Sequence, residues 1–288
     1  MKINLDSQMM GIGKFPLHTL IPLAVQHGYG AIQFPLWEIT SKDEAVKASR
    51  ELADNGLQWG LMPMDIDMLR ENLPAVFEEE LDQVKRQMDL AQAAGVHLYY
   101  NHVWPGSNVR SYEENFDWCA RRISKIHAAA RDHGIRYGLE FLGPKPLQDS
   151  FRYPFIRKLR DGLPLADSVS KEIGVVVDTF HWYTSESSLD DLKLIGSADR
   201  ILNLHVNDGW KGRLPDQQQD LERELPLATG VIDSPSVIRT LDELGYQGIV
   251  SVEPFEPAST RLREMPLTVA LREVAESVRK VFSCAGID

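Results

Sequence analysis

The 288-residue sequence predicts an α/β fold, a (β/α)8 TIM barrel formed as a single domain over residues 1–288. Three observations carry that expectation. Strand-like and helix-like segments alternate eight times without a linker or low-complexity break, as in a closed parallel sheet wrapped by helices. Gly174-Val175-Val176-Val177-Asp178 is β-branched through its middle, which suits a strand buried on both faces. An open doubly wound sheet would carry a Gly-rich first turn, and Gly11-Ile12-Gly13 lacks the third glycine.

Taken in order, Gln8 to Gly11 reads as the first strand and Leu17 to His27 as the first helix. Ala31 to Phe34 is the second strand. The next helix starts at Asp43 as N-cap and stops at Asn55-Gly56. Leu57 to Met62 is the third strand. The helix from Pro74 to Ala94 carries Phe77, Leu81, Val84, Met88 and Ala91 on one stripe. Val96 to Asn101 is strand four, Glu113 to His133 a helix, and Ile135 to Phe141 strand five. The stretch Pro154 to Glu172 supplies the fifth helix, Gly174 to Asp178 strand six, and Leu189 to Ile195 a short helix. Ile201 to Val206 is strand seven, followed by a polar loop, Asn207 to Asp233. Ser234-Pro235 opens a helix to Leu244, Gly248 to Glu253 is strand eight, and Leu267, Leu271, Val274, Val278 and Val281 stripe the last helix.

Composition narrows the function classes. Apolar content of 43% and charged content of 25% suit a soluble domain with a substantial core. The formal charge of −11 repels phosphate backbones and argues against nucleic acid as partner. Cys119 and Cys284 lie far apart without metal-type spacing, which fits a reducing compartment. Met1 to Asp6 has no signal-peptide core, and apolar runs such as Leu20 to Val25 are too short to span a bilayer. A cytoplasmic protein with no membrane partner is expected, and a homo-oligomer is compatible with the chain.

The chemistry gathers at the C-terminal strand ends, where barrels of this kind build their active sites. Strand five presents Glu140, strand six Asp178, strand seven His205 and strand eight Glu253. Any one of them is as well explained by a cap or a buried hydrogen bond. Four in adjacent strands, each after an apolar run, are not. Three crowded carboxylates become protonated unless a cation neutralises them. One imidazole with three carboxylates is a ligand set for a single divalent ion, with metal–oxygen distances of about 2.0–2.2 Å. Hard oxygen donors with one nitrogen favour Mn²⁺ or Mg²⁺, and also accommodate Co²⁺ or Zn²⁺.

Glu140, Asp178-Thr179-Phe180-His181, His205-Val206-Asn207-Asp208 and Gly245-Tyr246-Gln247-Gly248 leading to Val252-Glu253 together resemble the xylose isomerase-like barrel family of sugar phosphate isomerases, epimerases and family-2 AP endonucleases. The resemblance implies that Glu140, Asp178, His205 and Glu253 bind one divalent metal, commonly manganese, and that His181 contacts substrate. It also implies an arginine after strand seven on the substrate oxygens. Lys211, Arg213 and Arg223 are available, with Arg213 preferred. Arg223-Glu224-Leu225-Pro226 resembles a family signature but lacks the glycine usual after the proline.

These residues suggest an isomerase or epimerase acting on a ketose or related polyol. Glu140 and Glu253 would flank the substrate, one removing a proton and the other returning it, through a metal-stabilised enediolate. Trp104, Trp182 and Trp210 follow strand ends and could wall the pocket, and His102 and Lys145 could reach the mouth. A metal-dependent dehydratase on an inosose-like or dehydroshikimate-like substrate is the alternative. An endonuclease would want extra histidines on strands two and three, which end instead in Gln33-Phe34 and Met62-Pro63-Met64. The acidic, proline-containing loop Pro254-Phe255-Glu256-Pro257 offers few amides to a phosphate, favouring an unphosphorylated small molecule.

Overall fold

The chain enters the sheet through Lys2–Leu5 (β1), and the predicted strand over Gln8–Gly11 is a turn in the computed structural model. The cause is local. Asp6 Oδ1 accepts from Gln8 N at 3.1 Å and Met9 N at 3.0 Å, which folds the backbone on itself as an Asx turn. Lys2 and Asn4 blur the apolar signature of β1, yet Asn4 is fully buried and donates to Ser251 Oγ at 3.1 Å inside the barrel. The structure describes residues 1–287; Asp288, the end of the predicted domain, lies outside the described residues.

The other barrel strands are Ala31–Ile32 (β2), Gln58–Trp59 (β3), Leu98–Val103 (β4), Arg136–Phe141 (β5), Gly174–Asp178 (β6), Ile201–Val206 (β7) and Ile249–Val252 (β8). The ladders are all parallel, in the order β3-β2-β1-β8-β7-β6-β5-β4. Met62 N donates to Leu98 O at 2.9 Å, joining the end of that order to its start and closing the barrel. Strands two and three are shorter than predicted, and β4 runs two residues later than Val96–Asn101. Strand β8 ends at Val252 rather than Glu253, which lies one residue beyond it.

The surrounding helices are Leu17–His27 (α1), Lys42–Asp54 (α2), Pro74–Ala94 (α3), Tyr112–Asp132 (α4), Leu159–Val169 (α5), Leu189–Lys193 (α6), Ser234–Glu243 (α7) and Leu267–Ala285 (α8). Short helices at Lys145–Asp149, Thr179–Thr184 and Ala258–Glu264 sit in the loops after β5, β6 and β8. Ser41, not Asp43, caps α2 in a reciprocal capping box with Glu44, and Asp233, not Ser234, caps α7. Helix α3 has no side-chain cap, but its predicted stripe is buried throughout. Burial of one large side chain contributes about 1.5–3 kcal/mol against about 1 kcal/mol for a cap, so packing holds this helix.

Most of the core lies between the helices and the outer face of the sheet. A separate cluster of Ala31, Leu61, Tyr100, Val176, Leu202 and Ile249 fills the barrel itself. Leu202 enters it through a bulge, because Val175 pairs with Ile201 while Val176 pairs with Asn203. The register partners Gly138 and Gly174 leave the space. A Cβ on either would lie 2.9 or 1.9 Å from the Leu202 methyls.

Cys119 is buried in α4 and Cys284 is exposed, and burial pushes the Cys119 thiol up to about 12. A thiol with a raised value stays protonated and unreactive at pH 8. Ellman's reagent at that pH is therefore expected to count one fast thiol in the folded protein and two in urea. Two fast thiols before unfolding would contradict this packing. Among the described residues no helix is long and apolar enough to cross a membrane.

Candidate metal centre

Strand register brings the four predicted ligands to one mouth. His102 pairs with Glu140 across β4 and β5, and Asp178 pairs with His205 across β6 and β7. Side chains in register point to the same face, here the interior. One ligand atom from each of Glu140, Asp178, His205 and Glu253 lies within 4.8 Å of all the others. The first three are at most 3% exposed. Asp178 ends its strand by capping the following helix: Oδ1 accepts from Phe180 N at 2.6 Å and from Asn207 Nδ2 at 3.3 Å. Its Oδ2 remains turned toward the mouth, 3.9 Å from His205 Nδ1.

The set is short of positive charge. Arg223 Nη1 donates to Asp178 Oδ2 at 2.9 Å and to Glu253 Oε2 at 2.7 Å. One guanidinium faces three carboxylates, Glu140 and Asp178 buried and Glu253 partly so, and Arg223 also serves Asp220. Burial alone would raise Glu140, but His205 and His102 hold it well below the usual carboxylate range. Burial likewise opposes Arg223 and His205 at Glu253, which they hold down to about 2. Asp178 is raised, because burial outweighs Arg223. Burial would lower His205, yet Glu140 drives it well above an ordinary histidine. The raised Asp178 and His205 mark a site richer in carboxylate than in cation, while the lowered Glu140 and Glu253 register the positive groups already beside them.

Hydrogen bonding makes the same demand. His205 Nδ1 lies 3.0 Å from Glu140 Oε1, and His102 Nε2 lies 3.1 Å from Glu140 Oε2. Even so, both Glu140 oxygens and both His205 nitrogens are buried without a hydrogen-bond partner. Buried polar atoms normally have one. A divalent cation bound by Glu140, Asp178, His205 and Glu253 would cancel the residual charge and engage these orphaned atoms, so the residues fit such an ion.

Around this centre the structure separates the remaining candidates. His181 Nε2 lies 3.8 Å from Asp178 Oδ2, and His102 sits beside Glu140. Arg223, not the preferred Arg213, is the guanidinium at the carboxylates. Arg213 is held by Glu222 and stacks over Trp210 at 5.2 Å. Lys145 is paired at the surface with Asp149, an i,i+4 pair on one helical turn, and Lys211 is exposed. Trp104 Nε1 donates to Asp67, with Arg70 over its ring. It lines a cavity of about 230 Å³ with Leu69, Arg110 and Phe151, none of the four ligand residues among them. Trp182 Nε1 donates to Ser188 O at 3.1 Å, and Trp210 is substantially exposed.

The polar loop predicted over Asn207 to Asp233 turns out to be tightly built, and this is what sequence reasoning missed. Asp208 is fully buried. Its two carboxylate oxygens accept from five backbone amides, those of Gly209, Thr229, Gly230, Val231 and Ile232, at 2.7–3.2 Å. Its own backbone exchanges two hydrogen bonds with Glu224. Next to Glu224, Glu222-Arg223 pairs in parallel with Glu256-Pro257 of the loop after β8. Arg223 is thereby fixed with its guanidinium between the Phe180 and Phe255 rings, 4.5 and 4.8 Å from their centres, and with Asp220 Oδ1 at 2.8 Å. The Arg223-Glu224-Leu225-Pro226 signature is the one sequence signal that marks it.

Residues 21–281 match the family model for the xylose isomerase-like TIM barrel. An inosose isomerase of Halalkalibacterium halodurans is 28% identical over 57% of this chain and 56% of its own. The chain thus spans little more than half the length of that curated relative. A ketose 3-epimerase of Arthrobacter globiformis is 22% identical over 79% of this chain and 74% of its own. The crystal structure of the IolI protein with a bound zinc atom superposes with a TM-score of 0.77 at 17% identity, covering 99% of this chain and 98% of that one.

Proposed function

Because this chain belongs to the xylose isomerase-like TIM barrel family, we propose that it is a divalent-metal-dependent isomerase or epimerase acting on the carbonyl of an unphosphorylated ketose or inosose. The observation that carries the reading is the convergence of Glu140, Asp178, His205 and Glu253 within 4.8 Å, with the buried Glu140 oxygens and His205 nitrogens lacking a hydrogen-bond partner among the described residues. These four residues would hold the ion, with Mn²⁺ preferred for an oxygen-rich set. Bound there, it supplies charge to stabilise an enediolate. The zinc of the IolI crystal structure and the inosose and ketose names of the relatives support the reading.

The protein's own groups would manage protons and orientation. Glu140 on β5 and Glu253 just past the end of β8, three strands along in the order β8-β7-β6-β5, would face opposite sides of a substrate carbon. One takes a proton and the other returns it. Arg223 and His181 would hold substrate oxygens, and His102, against Glu140 Oε2, would steady that carboxylate.

The decisive measurement is metal analysis of the purified protein, followed by turnover of a ketose and inosose panel in deuterated water. Product carrying solvent deuterium at unchanged composition is the expected result. Product that has lost water would select the dehydratase instead. A protein that binds no divalent ion under any loading condition would remove the proposal.

A further inference from the structure

Apart from the metal centre, the cavity beside Trp104 has walls that hold one another in place. Glu71, from the segment after β3, accepts from Asn108 N at 2.6 Å and from Ser107 Oγ. Arg122 of α4 donates to Met68 O at 3.0 Å and to Asn72 O at 3.3 Å in the same segment. Gly106-Ser107, after β4, pairs antiparallel with Tyr153-Pro154, after β5. A Cβ on Gly106 would lie 2.4 Å from the Phe151 Cβ, so only glycine lets that ring lie against the ladder. Leu69, Trp104 and Phe151 give the cavity its apolar surface, the two rings meeting edge to face at 6.3 Å. Its volume of about 230 Å³ falls below the ~300–1,000 Å³ of sites for drug-sized ligands and suits a single ring.

Two charged groups in the cavity are spaced for a bridging hydroxyl. Arg110 donates through Nε to Asn115 Oδ1 at 2.9 Å and stacks over Trp118 at 3.9 Å, so its guanidinium is fixed. Its Nη2 ends 3.7 Å from Glu71 Oε1, beyond hydrogen-bond reach. A hydroxyl is donor and acceptor at once, and one placed between them accepts from Arg110 and donates to the Glu71 carboxylate. A ligand carboxylate there would face Glu71, and an ammonium would face Arg110 and Arg70, which also lines the cavity. A purely apolar ring would leave the pair unbridged. What remains is a neutral, hydroxyl-rich ring with an apolar face for Trp104 and Phe151. His102, whose Nε2 lies 3.1 Å from Glu140 Oε2, precedes Trp104 by two residues, about 7 Å at the rise of a strand. A wall of the cavity thus starts roughly one sugar ring away from a side chain that touches the metal ligands. We propose that this cavity is a subsite for a second sugar ring, so that the substrate is a ketose or inosose carrying a glycosyl unit. The placement of the reacting ring rests on the isomerase reading above; the cavity's fit to a neutral sugar ring does not.

The test is saturation-transfer NMR on the full chain loaded with magnesium, comparing the glucosyl-fructoses turanose, maltulose and isomaltulose with D-fructose. At least one disaccharide is expected to bind ~10-fold or more tightly than D-fructose, about what a hydrogen bond to a charged group contributes, with saturation strongest on the glucosyl protons. Trp104→Ala should abolish that advantage, and so should Arg110→Met, which keeps an unbranched chain against Trp118. Magnesium affinity by calorimetry, the check that each variant folds, should stay the same. No disaccharide preferred over D-fructose, or a preference that survives in a folded variant of either residue, overturns the proposal. Solvent-deuterium incorporation keeps the two failures apart. A disaccharide held through Trp104 but never labelled in deuterated water counts against the isomerase reading alone. D-fructose labelled while no disaccharide is preferred counts against the second-ring subsite alone.

Discussion

Glu140→Gln is expected to slow solvent-deuterium incorporation by about 10²–10⁴-fold, the usual contribution of a general acid or base. The same change should weaken manganese binding by roughly a hundredfold or more, since even outer partners of metal ligands cost 10–100-fold. The two losses share one cause. Glu140 is 1% exposed, its oxygens face His205 and His102 at 3.0 and 3.1 Å, and neither has a hydrogen-bond partner. Glutamine keeps the shape but removes the charge and sets an amide in a position that calls for an anion. Its volume is nearly the same, so the melting temperature should move little, and circular dichroism should be unchanged. Calorimetric titration with manganese decides the matter: undiminished affinity in this variant would mean that Glu140 is not a ligand.

Asp208→Ala should destabilise the fold by about 3–5 kcal/mol, because an orphaned buried donor costs about 1–3 kcal/mol and five amides lose their acceptor together. Water entering the vacated space would keep the total below the simple sum. At a few degrees per kcal/mol for a chain of this size, the melting temperature should fall by roughly 10 °C. Catalysis should suffer beyond that loss, because the Asp208–Glu224 exchange positions the residue before Glu224, which is Arg223. An Asp208→Ala protein as stable as wild type in urea would show that the amides find other acceptors.

Much of this architecture could be read from the residues alone. Helices α1 and α3 and strands β6 and β7 fall where periodicity and β-branching place them, because their apolar pattern is long and unbroken. Strand β1 could not be read, since Lys2 and Asn4 look solvent-facing and only the closed barrel explains a buried Asn4. The convergence of Glu140, Asp178, His205 and Glu253 was legible because each ends an apolar run. Arg223 was harder to single out. Its place depends on a two-residue ladder with Glu256-Pro257, a pairing across 34 positions with no local signature. Gly143, whose amide donates to His181 Nδ1 at 3.1 Å, carries no motif at all, and that bond exists only once β5 and β6 lie side by side.

The ladder between Glu222-Arg223 and Glu256-Pro257, together with the Arg261–Glu224 ion pair at 2.9 Å, welds the two rim segments that follow β7 and β8 into one piece. Grafting only one of them from a relative, with the aim of retuning substrate preference, would tear that seam and leave Arg223 without its neighbour. Recombination that respects the protein's physics has to move the block 207–233 and the block 254–264 as a matched pair.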